Sequence, residues 1–373
     1  MKNLFALALS IVSIGFCNGQ NKDKKYNLLI GTYTQPGKSE GIYVYQFDPS
    51  TGESKLKAVA KGVKNPTFLA VSRDNKHVYA VTEVSDGAVN AYAFDAVSGE
   101  LKLLNSAPSG GGGPCYVSVD DKNKFVYVGN YGGGSLAAIA VQKDGSLNPT
   151  IQKIVHEGKG PKSNQDKPHV HASVLSKNDK FLLVPDLGTD KVNVYKIDAS
   201  KPEPLSPATP AFVSVDGGNG PRHLTFDSSG KTAYLIQEMT GVITAFDFEG
   251  GKLTPKQSVT LPVAGASGRI DAADIHISPD GKFLYGSLRG DMNEIVIFAL
   301  DKTGLMSYVG RQSCLGKTPR NFSIDPTGKF LLVANQESDD IIVFKRDQKT
   351  GLITPTGSKI SIGAPVCLKF VAE

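Results

Sequence analysis

One segment recurs along the chain about every fifty residues, and it restricts the fold more than any other feature. Pro66, Pro114, Pro168, Pro221, Ala272, Pro319 and Pro365 each open a copy, at spacings of 48, 54, 53, 51, 47 and 46 residues. A copy begins with a short apolar strand. A turn rich in Asp, Asn and Gly follows (SRDNK, DDKNK, SPDGK, DPTGK), then a second strand such as KFVYVGN or KFLLVAN with a polar end. Two further strand-like segments complete it. Each strand alternates with period two, and the turns carry the residues that tight hairpins need. Four short strands per unit and a period of this size are the pattern of a propeller blade. The mature sequence shows no sustained helical periodicity, in keeping with 40 Gly, 21 Pro and 4 Met among 373 residues.

The seventh copy contains only its first strand, Pro365 to Phe370. The N-terminal segments YNLLIGTY, GIYVYQFD and SKLKAVA read as the three strands it lacks. The expected fold is therefore all-β, a seven-bladed β-propeller closed by pairing of N- and C-terminal strands in one blade. Closure of this kind removes open sheet edges. Residues 20–373 are expected to form one domain.

Residues 1–19 read as a cleaved signal peptide. Lys2 provides a positive start, and an apolar run from Leu4 to Phe16 ends near small residues. Cleavage after Gly19 leaves Gln20 at the mature N-terminus; lipidation of Cys17 is the alternative. The run is too short for a membrane span. The chain is expected to be exported, periplasmic or envelope-associated. Lys and Arg number 41 against 36 Asp and Glu, interspersed without a basic block, which argues against nucleic-acid binding. Cys115, Cys314 and Cys367 show no metal-ligand spacing and read as small buried hydrophobes.

Chemistry is expected at one end of the central channel. The start of a first strand and the end of a second, antiparallel strand lie on the same side. Polar residues collect at both positions. The residue after each opening is Thr67, Cys115, His169, Arg222, Ala273, Arg320 or Val366. The second strands end in Glu83, Asn130 with Tyr131, Asp186, Glu238, Arg289, and Asn335 with Gln336. Burying such a set without partners is costly. Arg222 and His223 alternate, so only one is expected to face the site. His169 and His171 share a face and, with Asp186, resemble a metal pair, but no third ligand is spaced to fit; no metal or cofactor is expected. His276 and Asp274 share a face as an ion pair or packing contact, while His77 and His156 read as exposed. The runs GGGGP at 110–114 and NYGGG at 130–134 lack a phosphate-loop ending and read as loops that let backbone approach the channel. No Gly-x-Ser-x-Gly elbow occurs.

Several segments together resemble the propeller-type lactonase family, which includes bacterial 6-phosphogluconolactonase and the fungal enzyme that lactonises carboxymuconate. They are GTYT at 31–34, PCYV with NYGGGS, PHVHA with VPDLGTDKVNVY, GPRHLTF with Gln237-Glu238, and SPDGKFLYGSLRG. The absence of Trp sets the chain apart from WD repeats. The resemblance implies hydrolysis of a sugar-acid lactone, 6-phosphogluconolactonase-like, in carbohydrate metabolism. Family site positions fall on His171, Arg222, Glu238 and Arg289. Glu83, Asn130, His169 and Arg320 are expected to line the same pocket and bind a small-molecule lactone or its hydroxy acid. His171 or Glu238 is the expected base, Arg222 the oxyanion partner, and Arg289 and Arg320 the anion clamp. The alternatives are a non-catalytic envelope ligand-binding propeller and a muconate-type cycloisomerase. A phosphorylated lactone is a cytoplasmic metabolite, so the export signal leaves the exact substrate open.

Overall fold

The computed structural model describes residues 24–260 and 269–373; the expected signal peptide, Cys17 and Gln20 lie outside them. Every regular element among the described residues is a strand. The strands form seven four-stranded antiparallel sheets, each with its first strand innermost. Innermost strands of successive sheets touch around the ring, and the third sheet, whose innermost strand is only Val174–Leu175, meets the next through its second strand. The C-terminal strand Pro365–Ala372 pairs with Tyr26–Thr32, with Leu28 opposite Phe370 and Ile30 opposite Leu368. This is the expected closure: the first and last strands share a blade with Gly41–Phe47 and Ser54–Lys61.

Second strands are buried on both faces because each blade is sandwiched between two others. Phe125–Asn130 and Phe330–Asn335 are buried throughout their length. In four second strands a tyrosine stands three residues after a lysine (Tyr79, Tyr127, Tyr234 and Tyr285), and it serves this packing. Tyr234 and Tyr285 donate to Gly304 O (2.8 Å) and Gly351 O (2.7 Å), each in an outer turn of the next blade. A buried hydroxyl needs such a partner. Tyr127 faces a blade whose corresponding turn runs Ser200-Lys201-Pro202, and its hydroxyl is buried without a partner among the described residues.

The innermost strands begin irregularly. The ladder slips between Pro114 and Tyr116, Pro221 and His223, Ala272 and Ile275, and Pro319 and Asn321. A bulge leaves one residue outside the ladder and re-aims its side chain. Cys115, Arg222 and Arg320 are those residues in three of the four blades. Polar residues after the opening position are thus released from period two at the channel mouth.

The two glycine runs pack on each other. Gly133 N–H donates to Gly112 O at 2.8 Å, and Tyr131 N–H to Gly113 O at 2.9 Å. A Cβ on Gly111 would meet Asn130 Cβ at 2.8 Å, so this contact needs glycine. The close approach is between two loops of one blade.

Candidate active site

The side chains of His171, Arg222, Glu238 and Arg289 converge on one carboxylate oxygen. Arg222 Nε donates to Glu238 Oε2 at 2.7 Å, Arg289 NH2 lies 3.0 Å from the same atom, and His171 Nε2 lies 4.0 Å from it. Backbone carbonyls of the bulged strand Ile270–Ile277 aim the two guanidiniums. Ala273 O accepts from Arg222 Nη1 at 2.5 Å, and Ala272 O accepts from Arg289 NH2 at 3.3 Å. Arg289 Nε is buried with no partner among the described residues. The adjoining wall is Arg320, Glu83 and Tyr33. Tyr33 donates to Glu83 Oε1 at 2.7 Å, and Thr67 donates to Glu83 Oε2. The Arg320 guanidinium lies 5.7 Å from the Tyr33 ring centre and has no hydrogen bond or ion pair to a side chain among the described residues. A cation over a ring face keeps most of its donors available.

The electrostatics follow from burial and from the cluster of arginines. Burial drives His171 well below its ordinary range, and the charges of Arg222 and Arg320 push the same way, so the imidazole is neutral. Arg222 is pushed down to about 10 by burial and by Arg289. Burial would raise Glu238, but Arg289, Arg222 and Arg320 outweigh it and hold the carboxylate ionised. Cys115, whose Sγ is 3.8 Å from His171 Nδ1, is pushed up to about 12 by burial, which leaves it a neutral thiol.

Other expected residues lie elsewhere or do other work. Asn130 is fully buried and spends its amide on Ser109 O (2.9 Å) and Ser135 Oγ (3.3 Å), behind the glycine loop. Its neighbour Tyr131 takes the pocket position, stacked on His169 at 4.4 Å and edge-on to His171 at 5.4 Å. Adjacent residues of a strand face opposite ways, and the terminal side chain turns back into the blade. His169 is tied into the wall by Tyr131 O at 3.1 Å and Asp166 Oδ1 at 3.2 Å. Asp186 does not join a histidine pair. It bonds His156 Nδ1 at 2.7 Å and the backbone N–H groups of His169 and Gly188. His156 is accordingly buried, with Tyr195 Oη 2.9 Å from its Nε2, contrary to the exposed position expected from sequence. Arg222 and His223 do not divide between two faces. The bulge puts both in one network, Arg222 Nη1 lying 3.4 Å from His223 Nε2. Tyr33 was legible in principle: in the closing blade, GTYT puts it where Glu83, Tyr131 and Glu238 stand in theirs.

The chain matches known proteins over nearly its whole length. Residues 27–370 match the family model described as lactonase, 7-bladed beta-propeller. The chain belongs to this lactonase family. Family members named 6-phosphogluconolactonase include one from Formosa agariphila, 36% identical over 92% of this chain and 99% of its own length. Another, from Bacillus subtilis, is 35% identical over 94% and 99%. Among solved structures, the periplasmic gluconolactonase of Pseudomonas aeruginosa is 39% identical, covers 93% of this lactonase-family chain and 99% of its own, and superimposes with a TM-score of 0.90.

Proposed function

We propose that this lactonase-family propeller opens sugar-acid lactones by direct attack of water, without a covalent intermediate. One observation carries the reading. A neutral His171 with an uncommitted Nε2 stands beside two arginines gathered on Glu238 Oε2, at 2.7 and 3.0 Å. Water loses a proton to His171 Nε2 as its oxygen bonds to the lactone carbonyl carbon. The unprotonated imidazole is free to accept that proton, and the low basicity that burial imposes returns it readily to the leaving oxygen. Glu238, held by two cations, is a poor base and a good orienter. The carbonyl oxygen becomes an oxyanion, and Arg222 Nη2, which has no protein partner among the described residues, is the donor available to it. The ring C–O bond then breaks, the ring oxygen takes the proton from His171, and a hydroxy acid leaves.

Arg222, Arg289 and Arg320 face two carboxylates, Glu238 and Glu83. The surplus positive charge favours an anionic substituent, and Arg320, which has no side-chain ion pair among the described residues and lies over the Tyr33 ring, is the natural holder of a carboxylate or phosphate. Purified protein tested against phosphorylated and plain aldonolactones, with spontaneous opening subtracted, decides the activity. Turnover is expected. Binding of lactone and hydroxy acid without turnover would instead make the chain an envelope ligand scaffold. Export is also proposed, on Lys2 and the apolar run after it, in line with the periplasmic name of the Pseudomonas relative. Mass spectrometry of native protein should find Gln20 at or near the N-terminus, or a lipid on Cys17; an intact Met1 on cytoplasmic protein refutes export.

A further inference from the structure

Beneath the pocket lies a buried chain of polar groups that the proposed reaction does not use. His223 Nδ1 is 2.8 Å from Asp274 Oδ1, and His276 Nε2 is 2.8 Å from Asp274 Oδ2. Asn321 Nδ2 and, at 3.4 Å, Phe322 N–H also donate to Oδ2. The Asp274 backbone N–H donates to Ser287 Oγ at 3.0 Å. One carboxylate, 3% exposed, thus gathers groups from three consecutive blades.

We propose that Asp274 is a positioning residue that, through His223, orients the Arg222 guanidinium toward the substrate. The inference rests on the reading that Arg222 receives the oxyanion. Its logic is one of donors and acceptors. Arginine only donates and a carboxylate only accepts. His223 stands between them, so its Nδ1 carries the proton and its Nε2 carries the lone pair that Arg222 Nη1 meets at 3.4 Å. Ala273 O and His223 Nε2 together occupy Nη1, and Glu238 occupies Nε. That leaves Nη2 as the donor for substrate. A neutral His223 is required, and burial with the nearby Arg222 charge holds it at about 4. Burial would raise Asp274, but His276 and His223 outweigh it and hold the carboxylate well below its ordinary range.

Asp274→Asn makes a specific disturbance. Asn321 cannot turn over, because its Oδ1 accepts from Leu368 N–H at 2.7 Å and its Nδ2 must therefore face position 274. The oxygen of the new amide is held on that side, so its nitrogen faces His223. A donor there forces the proton of His223 onto Nε2, where it opposes the N–H groups of Arg222. At metal sites the outer partner that fixes a histidine tautomer is worth about tenfold to hundredfold in activity, and a loss of that order is expected here.

The test combines NMR with kinetics on the full-length protein. With ¹⁵N-labelled histidine, His223 is expected to show a protonated Nδ1 and a bare Nε2 in the wild type, reversed in Asp274→Asn. A wild-type Nε2–H tautomer overturns the proposal even if no variant folds. With labelled arginine, the Nε–H signal of Arg222 is expected to shift in Asp274→Asn; an unmoved signal counts against positioning, whatever the activity does. With gluconolactone and its 6-phosphate, Asp274→Asn is expected to lower kcat about tenfold to hundredfold while KM changes less than about threefold. His223→Gln, which keeps an acceptor for Arg222, should recover at least about tenfold over His223→Leu. In an Arg222→Ala background, Asp274→Asn should have almost no further effect; additive losses refute the coupling. If Arg222→Ala leaves kcat unchanged, the catalytic reading fails, while the two NMR readouts still decide whether Asp274 positions Arg222.

Discussion

Arg222→Ala separates a catalytic arginine from a structural one, because its effect on stability can be worked out beforehand. The substitution removes charged hydrogen bonds to Glu238 Oε2 at 2.7 Å and Ala273 O at 2.5 Å. Each contributes about 1.5–3 kcal/mol, so about 3–6 kcal/mol is lost. It also removes a cation that burial and the charge of Arg289 disfavour, lowering its pKa to about 10, so part of that loss is offset. Glu238 keeps Arg289 at 3.0 Å. The net destabilisation is up to about 6 kcal/mol, which lowers Tm by up to about 20 °C, and the melt shows whether the variant is folded at the assay temperature. Catalysis has no such offset. Loss of one oxyanion donor reduces kcat about a hundredfold to a thousandfold, and KM should change little, because that contact strengthens only as charge develops. Stopped-flow with a pH indicator, alongside a thermal melt, reads both quantities. A kcat within fivefold of wild type, or a loss confined to KM, would refute the assignment and favour a binding role for Arg222.

Other outcomes follow from the same geometry. Arg320→Ala should raise KM for anionic lactones at least tenfold and leave neutral ones within about twofold, since the remote anion is its proposed partner; equal effects on both classes would exclude a clamp. Stability should fall as pH drops from 6.5 to 4, because unfolded His223 takes up a proton there and folded His223, held at about 4, does not. That contribution is about 3 kcal/mol and is fully present above pH 6.5; urea unfolding across this range should show a flatter profile for His223→Gln, and identical profiles would contradict it. Tyr285→Phe removes the acceptor of Arg346 Nε (2.7 Å) and the donor to Gly351 O (2.7 Å), and should destabilise by about 1–3 kcal/mol. Tyr127→Phe removes only a buried hydroxyl that has no partner among the described residues, and in denaturant titration it should be neutral or stabilising.

The blade count, the strand order and the closing blade were all readable before any coordinate. They depend on local patterns: period-two alternation, hairpin turn residues, and one copy cut short at Phe370 that the segment from Tyr26 completes. The gathering of polar residues at one mouth was readable for the same reason, since antiparallel pairing sends strand starts and ends to one side. His171, Arg222, Glu238 and Arg289 stand there together, joined by Arg320 and Glu83. Within each pair of neighbouring polar residues, however, sequence could not choose. Asn130 and Tyr131 differ only in which way the last residue of a strand turns, and that depends on the loop at Gly111 pressing on Asn130.

What sequence determined by itself was therefore the frame: seven sheets, their closure, and a polar rim at one end. What tertiary structure decided was the partner of each rim residue. The bulge at Arg222 breaks the alternation that would have separated it from His223. His156, 30 residues away, takes Asp186. Ala273 O, 51 residues away, aims Arg222, and Asp274, equally distant from His223, holds it in one tautomer. Alternation and turns are fixed by neighbours in the chain, so they repeat with the sequence. These contacts join different blades, and they form only once the ring has set the register of one strand against the next.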